Sequence, residues 1–164
     1  MTYYLVDTNI IISYMNKESP KIQEYIDNPN NHFYYTETVQ KEVTITEQQN
    51  KIPDVFTYIN SGISENKKEL IFGKLKEFLT KLKLTSNQLS KFRNDLTIII
   101  EAGYVCYSVT PETEFTEPYL LTNNLNLYRK FIGNPVNKKI LEDIINAFGC
   151  EHLIEVLKPN DVIM

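Results

Sequence analysis

Four oxygen-bearing side chains stand where they can act together: Asp7, Glu42, Asp95 and Asn124. Asp7 closes a short apolar run, Glu42 and Asp95 sit in amphipathic ones, and Asn124 follows Tyr119-Leu120-Leu121-Thr122. Oxygen donors of this kind suit a hard divalent ion, Mg2+ or Mn2+, which prefers carboxylate and water ligands. A cluster of them also calls for such an ion, because carboxylates held close together repel and one is otherwise driven towards protonation. Each residue has a plainer role when taken alone. An Asp between a strand and a helix is a cap. A helical Glu belongs to a solvated face, and Asp95 is the last polar residue before an apolar helix enters the core.

The elements that must position these groups read as alternating strands and helices. Residues 2–7 form a short buried strand ending at the Asp7 carboxylate. Asp7 or Thr8 then caps a helix through Ile10, Ile11, Ile12 and Tyr14. A second helix covers residues 20–26, with Pro20 in its first turn, and the Asn-rich run 27–31 is a turn. Residues 32–35 form a second strand, followed by a helix carrying Val39, Glu42 and Val43. Phe56, Tyr58 and Ile59 suit either a strand or a short helix. Helical spacing of Leu70, Ile71, Leu75, Phe78, Leu79 and Leu82 predicts a long helix over residues 65–83. Another spans residues 87–102, capped by Thr85 or Ser86 and stopped by Gly103. Residues 104–109 have β character, 111–118 form an acidic loop, and 119–122 a strand leading into a helix through Leu127 and Phe131. A helix over 138–148 and a strand over 152–157 complete the chain. The pattern predicts an α/β sandwich around a mainly parallel sheet, in which functional groups gather at the carboxyl ends of the strands.

In this order and context the residues resemble the PIN-domain family of metal-dependent nucleases. Tyr4-Leu5-Val6-Asp7-Thr8-Asn9-Ile10-Ile11-Ile12 is similar to the family's opening strand and Asp-Thr-Asn turn. Thr36-Glu37-Thr38-Val39-Gln40-Lys41-Glu42-Val43 looks like the second block, whose helical Glu is the second acid. Asp95-Leu96-Thr97-Ile98-Ile99-Ile100-Glu101-Ala102 resembles the third, and Leu120-Leu121-Thr122-Asn123-Asn124-Leu125-Asn126 the fourth. The ending Val156-Leu157-Lys158-Pro159-Asn160-Asp161-Val162 is also like the family's. One departure matters: the fourth block carries Asn124 where the family most often has Asp, so the site offers three formal charges.

The resemblance implies a PIN-like three-layer sandwich over residues 1–164, a single domain with a basic helical pair at about 65–102 and a loop or β insertion at about 104–118. It implies a Mg2+- or Mn2+-dependent ribonuclease hydrolysing phosphodiester bonds in single-stranded RNA. Asp7, Glu42 and Asp95 would be catalytic and hold the metal, with Asn124 as a neutral fourth donor. Thr8, Asn9, Thr122 and Asn126 would orient them. The alternative is a weakly active or inactive PIN-like domain that binds RNA or a protein partner. A homodimer and an inhibitory, antitoxin-like partner are further expectations, as in VapC-type toxins of the family.

The charge distribution fits a nucleic-acid partner. The 164-residue chain has 17 basic and 21 acidic side chains, which excludes a general polycation but not a local basic surface. Residues 67–93 hold eight basic side chains against two acidic ones. Lys74, Lys81, Lys91 and Arg93 are the candidates to hold a phosphate backbone, against a bland reading as solvated helix faces. Arg129, Lys130, Lys138 and Lys139 form a weaker second group. Tyr3, Tyr4, Tyr34 and Tyr35 are expected in the core or on sheet faces, and His32 and His152, without partners at ligand spacing, are expected to be structural. Glu112, Glu114 and Glu117 read as an exposed loop. Only two cysteines, Cys106 and Cys150, are present, so a reducing, cytoplasmic compartment is expected. No apolar run approaches the roughly 20 residues of a membrane span, and a Gly-rich phosphate loop is absent from the sequence.

Overall fold

The computed structural model describes residues 2–46, 51–107, 119–123, 131, 133–150 and 153–159. They contain five strands, β1 (Thr2–Val6), β2 (Asn31–Tyr35), β3 (Phe56–Tyr58), β4 (Tyr119–Leu121) and β5 (Glu155–Leu157). Six helices accompany them: α1 (Thr8–Met15), α2 (Pro20–Asp27), α3 (Glu37–Thr46), α4 (Glu65–Lys81), α5 (Ser86–Tyr107) and α6 (Pro135–Ala147). The fold is α/β, as the alternation predicts. The chain divides into two compact units, one of residues 1–60, 111–125 and 155–164, the other of 61–110 and 126–154.

The first unit holds the sheet, in the order β3-β2-β1-β4-β5. All four pairings are parallel. β1 therefore lies at the centre with β2 and β4 on either side, and the strand order switches beside it. Its residues Tyr4, Leu5 and Val6 are buried, the continuous apolar run that a doubly covered parallel strand requires. The register sets Phe33 against Tyr4 and Phe56 against Phe33. Their rings pack in sequence, Tyr4 stacked on Phe33 at 5.3 Å and Phe33 edge-on to Phe56 at 6.3 Å. Tyr25 of α2 and Tyr14 of α1 close over this row, so Phe56, Tyr58 and their neighbours resolve as a strand. The aromatic residues expected in the core are largely there, although Tyr3 and Tyr34 remain only half-buried.

The second unit is helical. α4 and α5 form a hairpin, and α4 also packs on α6. Ile71, Leu75, Phe78 and Leu79 of α4 are buried, and Phe131 sits between Phe78 and Phe92 with ring centroids 5.9 and 5.2 Å away. The expected stop at Gly103 does not occur: α5 runs on to Tyr107, and the β character read into residues 104–107 is helix instead. Glycine in a helix costs only about 1 kcal/mol relative to alanine. Burial of Tyr104 and Val105 beyond it outweighs that cost, at roughly 1.5–3 kcal/mol for a large apolar side chain. Residues 108–118, the rest of the expected insertion, lie outside the described residues, as do the expected helix through Leu127, the acids Glu112, Glu114 and Glu117, the cations Arg129 and Lys130, and His152. Cys106 and Cys150 are free thiols, and burial, with the neighbouring Cys150, pushes Cys106 up to about 12. Among the described residues no helix is long and apolar enough to cross a membrane.

Candidate active site at the carboxyl ends of the strands

β1 ends at Val6, and the next residue, Asp7, turns the chain into α1. Its backbone is extended and its carboxylate accepts from the Thr8 amide, a cap made with the first helical residue. The cap is only part of its role. Asp7 is buried, with its Oδ1 taking the Thr8 N–H at 2.7 Å and its Oδ2 taking the Thr122 hydroxyl at 2.7 Å. Thr122 follows β4 directly and is fully buried; its own amide donates to the Leu157 carbonyl at 3.0 Å. The Asp7 amide donates to Leu121 at 2.9 Å. Three adjacent parallel strands are thus tied together around one carboxylate.

Thr8 reaches the other way as well. Its hydroxyl donates to Oε2 of Glu42 on α3 at 2.9 Å, so a single residue links the two acids: its amide holds Asp7 and its side chain holds Glu42. Asn9 accepts the Asn123 amide at 3.0 Å, which fixes the segment leaving β4 against the start of α1. Thr8 and Thr122 thus bond carboxylate oxygens directly, whereas the Asn9 bond is to the Asn123 backbone and to neither acid.

The electrostatics of Asp7 are unusual. Desolvation by burial drives its pKa upward, and the bonds from Thr122 and Thr8 only partly oppose that rise. Among the described residues no cationic side chain pairs with it, and its donors, the Thr8 amide and the Thr122 hydroxyl, are neutral. A carboxylate oxygen has two acceptor sites, so each oxygen of Asp7 keeps capacity for a cation. The donors here are all oxygen, which is the chemistry that Mg2+ and Mn2+ select. The Asp7–Glu42 pair therefore fits a divalent ion in donor type and in its need for positive charge.

Asp95 belongs to the helical unit, half-buried on α5. Asn124 and Asn126 lie outside the described residues. Among the described residues no group of three or more His, Cys, Asp or Glu side chains is arranged to hold a metal ion. His32 is stacked on Tyr3 at 5.3 Å, consistent with a structural role.

Of the basic candidates, Lys74, Lys81, Lys91 and Arg93 are all exposed. Lys74 stands 3.9 Å from Glu77, and Arg93 lies over the Phe72 ring at 4.7 Å. Lys68, counted in the same basic segment, points inward to Glu101, which is fully buried, at 3.5 Å. The sequence reading missed this pair; the one signal for it is that Lys68 lies three residues before Ile71 and seven before Leu75, the spacing of one helix face.

No family model matches this chain, and no curated protein matches its sequence. Among solved structures, it resembles a chain of VapBC2 from Rickettsia felis, solved bound to a DNA fragment from their promoter. The TM-score is 0.51 and the identity 20%, covering 78% of this chain and 92% of that one. A likeness at this identity is one of fold alone.

Proposed function

We propose that the chain is a Mg2+- or Mn2+-dependent nuclease of PIN type that hydrolyses phosphodiester bonds in single-stranded RNA. The observation that carries this reading is Asp7, a buried carboxylate at the central strand's carboxyl end whose donors are all neutral and whose amide neighbour also grips Glu42. Asp7, Glu42 and Asp95 would hold the ion, with Asn124 adding a neutral oxygen and Asn126 nearby in sequence. When bound, the ion supplies Lewis acidity towards the phosphodiester and its attacking water. The protein's own part is positioning. Thr122 and the Thr8 amide fix the plane of the Asp7 carboxylate, the Thr8 hydroxyl fixes Glu42, and Asn9 holds the strand end that leads to Asn124. Exposed Lys74, Lys81, Lys91 and Arg93 would hold the phosphate backbone.

Asn124 supports a second reading. Without a fourth charge the site binds a divalent ion less tightly, and a weakly active or inactive domain that binds RNA or a protein is the alternative. The VapBC2 likeness makes an inhibitory protein partner a natural expectation, and a homodimer is a further one.

The test is cleavage of labelled single-stranded RNA in Mn2+, Mg2+ and EDTA, by the wild type and by a folded Asp7→Asn, Asp95→Asn variant. Cleavage confined to the wild type with metal supports the nuclease. RNA binding without cleavage favours the second reading, and equal cleavage by both proteins rejects the proposed site.

A further inference from the structure

The five strands of the sheet unit end level with one another, so the residue after each one marks a place along the carboxyl edge of the sheet. In chain order these residues are Asp7, Thr36, Ile59, Thr122 and Lys158. Asp7 is the only acid among them and Lys158 the only base. All five belong to the same compact unit.

Asp7, Thr122 and Lys158 follow three neighbouring strands, β1, β4 and β5. Val6 pairs with Leu121 and Leu121 with Leu157. Backbone bonds carry that alignment one residue further, with the Asp7 amide donating to Leu121 and the Thr122 amide to Leu157. Side chains alternate between faces along a strand. Lys158 therefore continues on the face of Val156, which pairs with Leu120 and through it with Leu5. That is the face shared by Asp7 and Thr122, whose side chains meet at 2.7 Å. Two strand spacings, roughly 10 Å, separate the Lys158 backbone from that of Asp7. A flexible four-carbon stem carries the ammonium from there towards a group held beside Asp7.

Lysine at a sheet edge also serves to discourage pairing with other strands. On β5 the exposed Glu155 meets that need, whereas Lys158 is half-buried between buried Val156 and buried Pro159.

We infer that Lys158 is a substrate-contacting residue of the site, its ammonium holding a non-bridging oxygen of the scissile phosphate. The inference rests on the nuclease reading and adds to it a cation from the sheet itself, on the far side of Thr122 from Asp7. Hydrolysis puts the hydroxyl of a water on phosphorus, breaks the P–O bond to one sugar and leaves the water's other proton on the departing oxygen. Charge shifts over the phosphoryl oxygens on the way. Lys158 stabilises that charge as a fixed cation and gives up no proton.

The first test needs no cleavage: calorimetric titration of inorganic phosphate into the full chain in Mg2+. Wild type is expected to bind phosphate, and Lys158→Gln to bind it on the order of tenfold more weakly, as for loss of one charged hydrogen bond. Lys158→Arg should come within a few fold of wild type. Lys51→Gln removes the same charge from an exposed lysine that faces Asp54 and should bind phosphate as wild type does. Titration of Mn2+ separates this role from a structural one, because Lys158→Gln, having lost a cation, should bind Mn2+ at least as tightly as wild type. In the RNA cleavage assay, Lys158→Gln should lower kcat about 10²-fold, more than it raises KM. Equal phosphate affinities for wild type and Lys158→Gln, no phosphate binding by wild type, or weaker Mn2+ binding by the variant overturn the proposal. Wild type that cleaves RNA no faster than Lys158→Gln does so too and leaves the nuclease reading intact. Phosphate binding that requires Lys158, in a wild type that cleaves no RNA, rejects the nuclease reading and leaves the anion contact standing.

Discussion

Asp7 in the sheet unit and Glu101 in the helical unit are both carboxylates removed from water, at 3% and 0% exposure. Glu101 has Lys68 at 3.5 Å, a cation drawn from the facing helix. Asp7 has a threonine hydroxyl and a backbone amide, and burial raises its pKa in spite of them. A buried charge compensated from within is the mark of a structural pair. One supplied only with neutral donors, at the end of a central parallel strand, is a perturbed group of the kind that concentrates at functional sites. The two units thus spend buried carboxylates differently.

The comparison can be broken in four ways. The largest effect is expected at Asp7. Asp7→Asn should reduce metal-dependent RNA cleavage on the order of 10³-fold, as for loss of a principal charge-stabilising group, yet melt in EDTA no lower than wild type, because the charged form is the one burial disfavours. Calorimetry in EDTA beside the cleavage assay checks both halves. A large fall in melting temperature would make Asp7 a structural residue like Glu101.

Glu101→Leu should do the reverse, costing about 3 kcal/mol by stranding Lys68 in the interior. Lys68→Met together with Glu101→Leu should recover most of that loss, since an apolar pair avoids the desolvation of both ions. Denaturant melts of the three variants measure the coupling, and additive losses would deny that the two residues compensate each other.

Thr8→Val comes next. It removes the hydroxyl that holds Glu42 while leaving the amide that holds Asp7, and should lower cleavage by about 10–100-fold, as for groups that orient metal ligands. Thr8→Ser should retain most of the activity, which separates loss of the hydroxyl from loss of packing. The smallest effect concerns backbone strain. Lys17 and Lys83, one in each unit, both have left-handed φ values, 53 and 54. Glycine there should stabilise by about 0.5 kcal/mol, the relief of strain less the added freedom of the unfolded chain.

Much of the sheet unit was legible because its signals are local. The apolar run ending at Asp7, the Pro20 helix start and the short runs at 32–35 and 119–122 each declare their own element. The order of strands around β1 was not, since parallel pairing depends on distant contacts such as Leu121 with the Asp7 amide. The helical unit misled where burial overrode a local rule: Gly103 reads as a stop, but enclosure of Tyr104 and Val105 carries α5 through it. Lys68 reads as surface charge by composition, yet it lies three and seven residues before the buried Ile71 and Leu75, and it pairs with buried Glu101. At the site, residue types pointed to Thr8 and Thr122, and the structure adds that Thr8 bonds both Asp7 and Glu42.

The central claim is that Asp7 is a metal ligand and more than a helix cap. Isothermal titration of Mn2+ into wild type and Asp7→Asn at neutral pH tests it without requiring any substrate. The account predicts saturable binding to the wild type that disappears in the folded variant. Identical binding isotherms for the two proteins would contradict it.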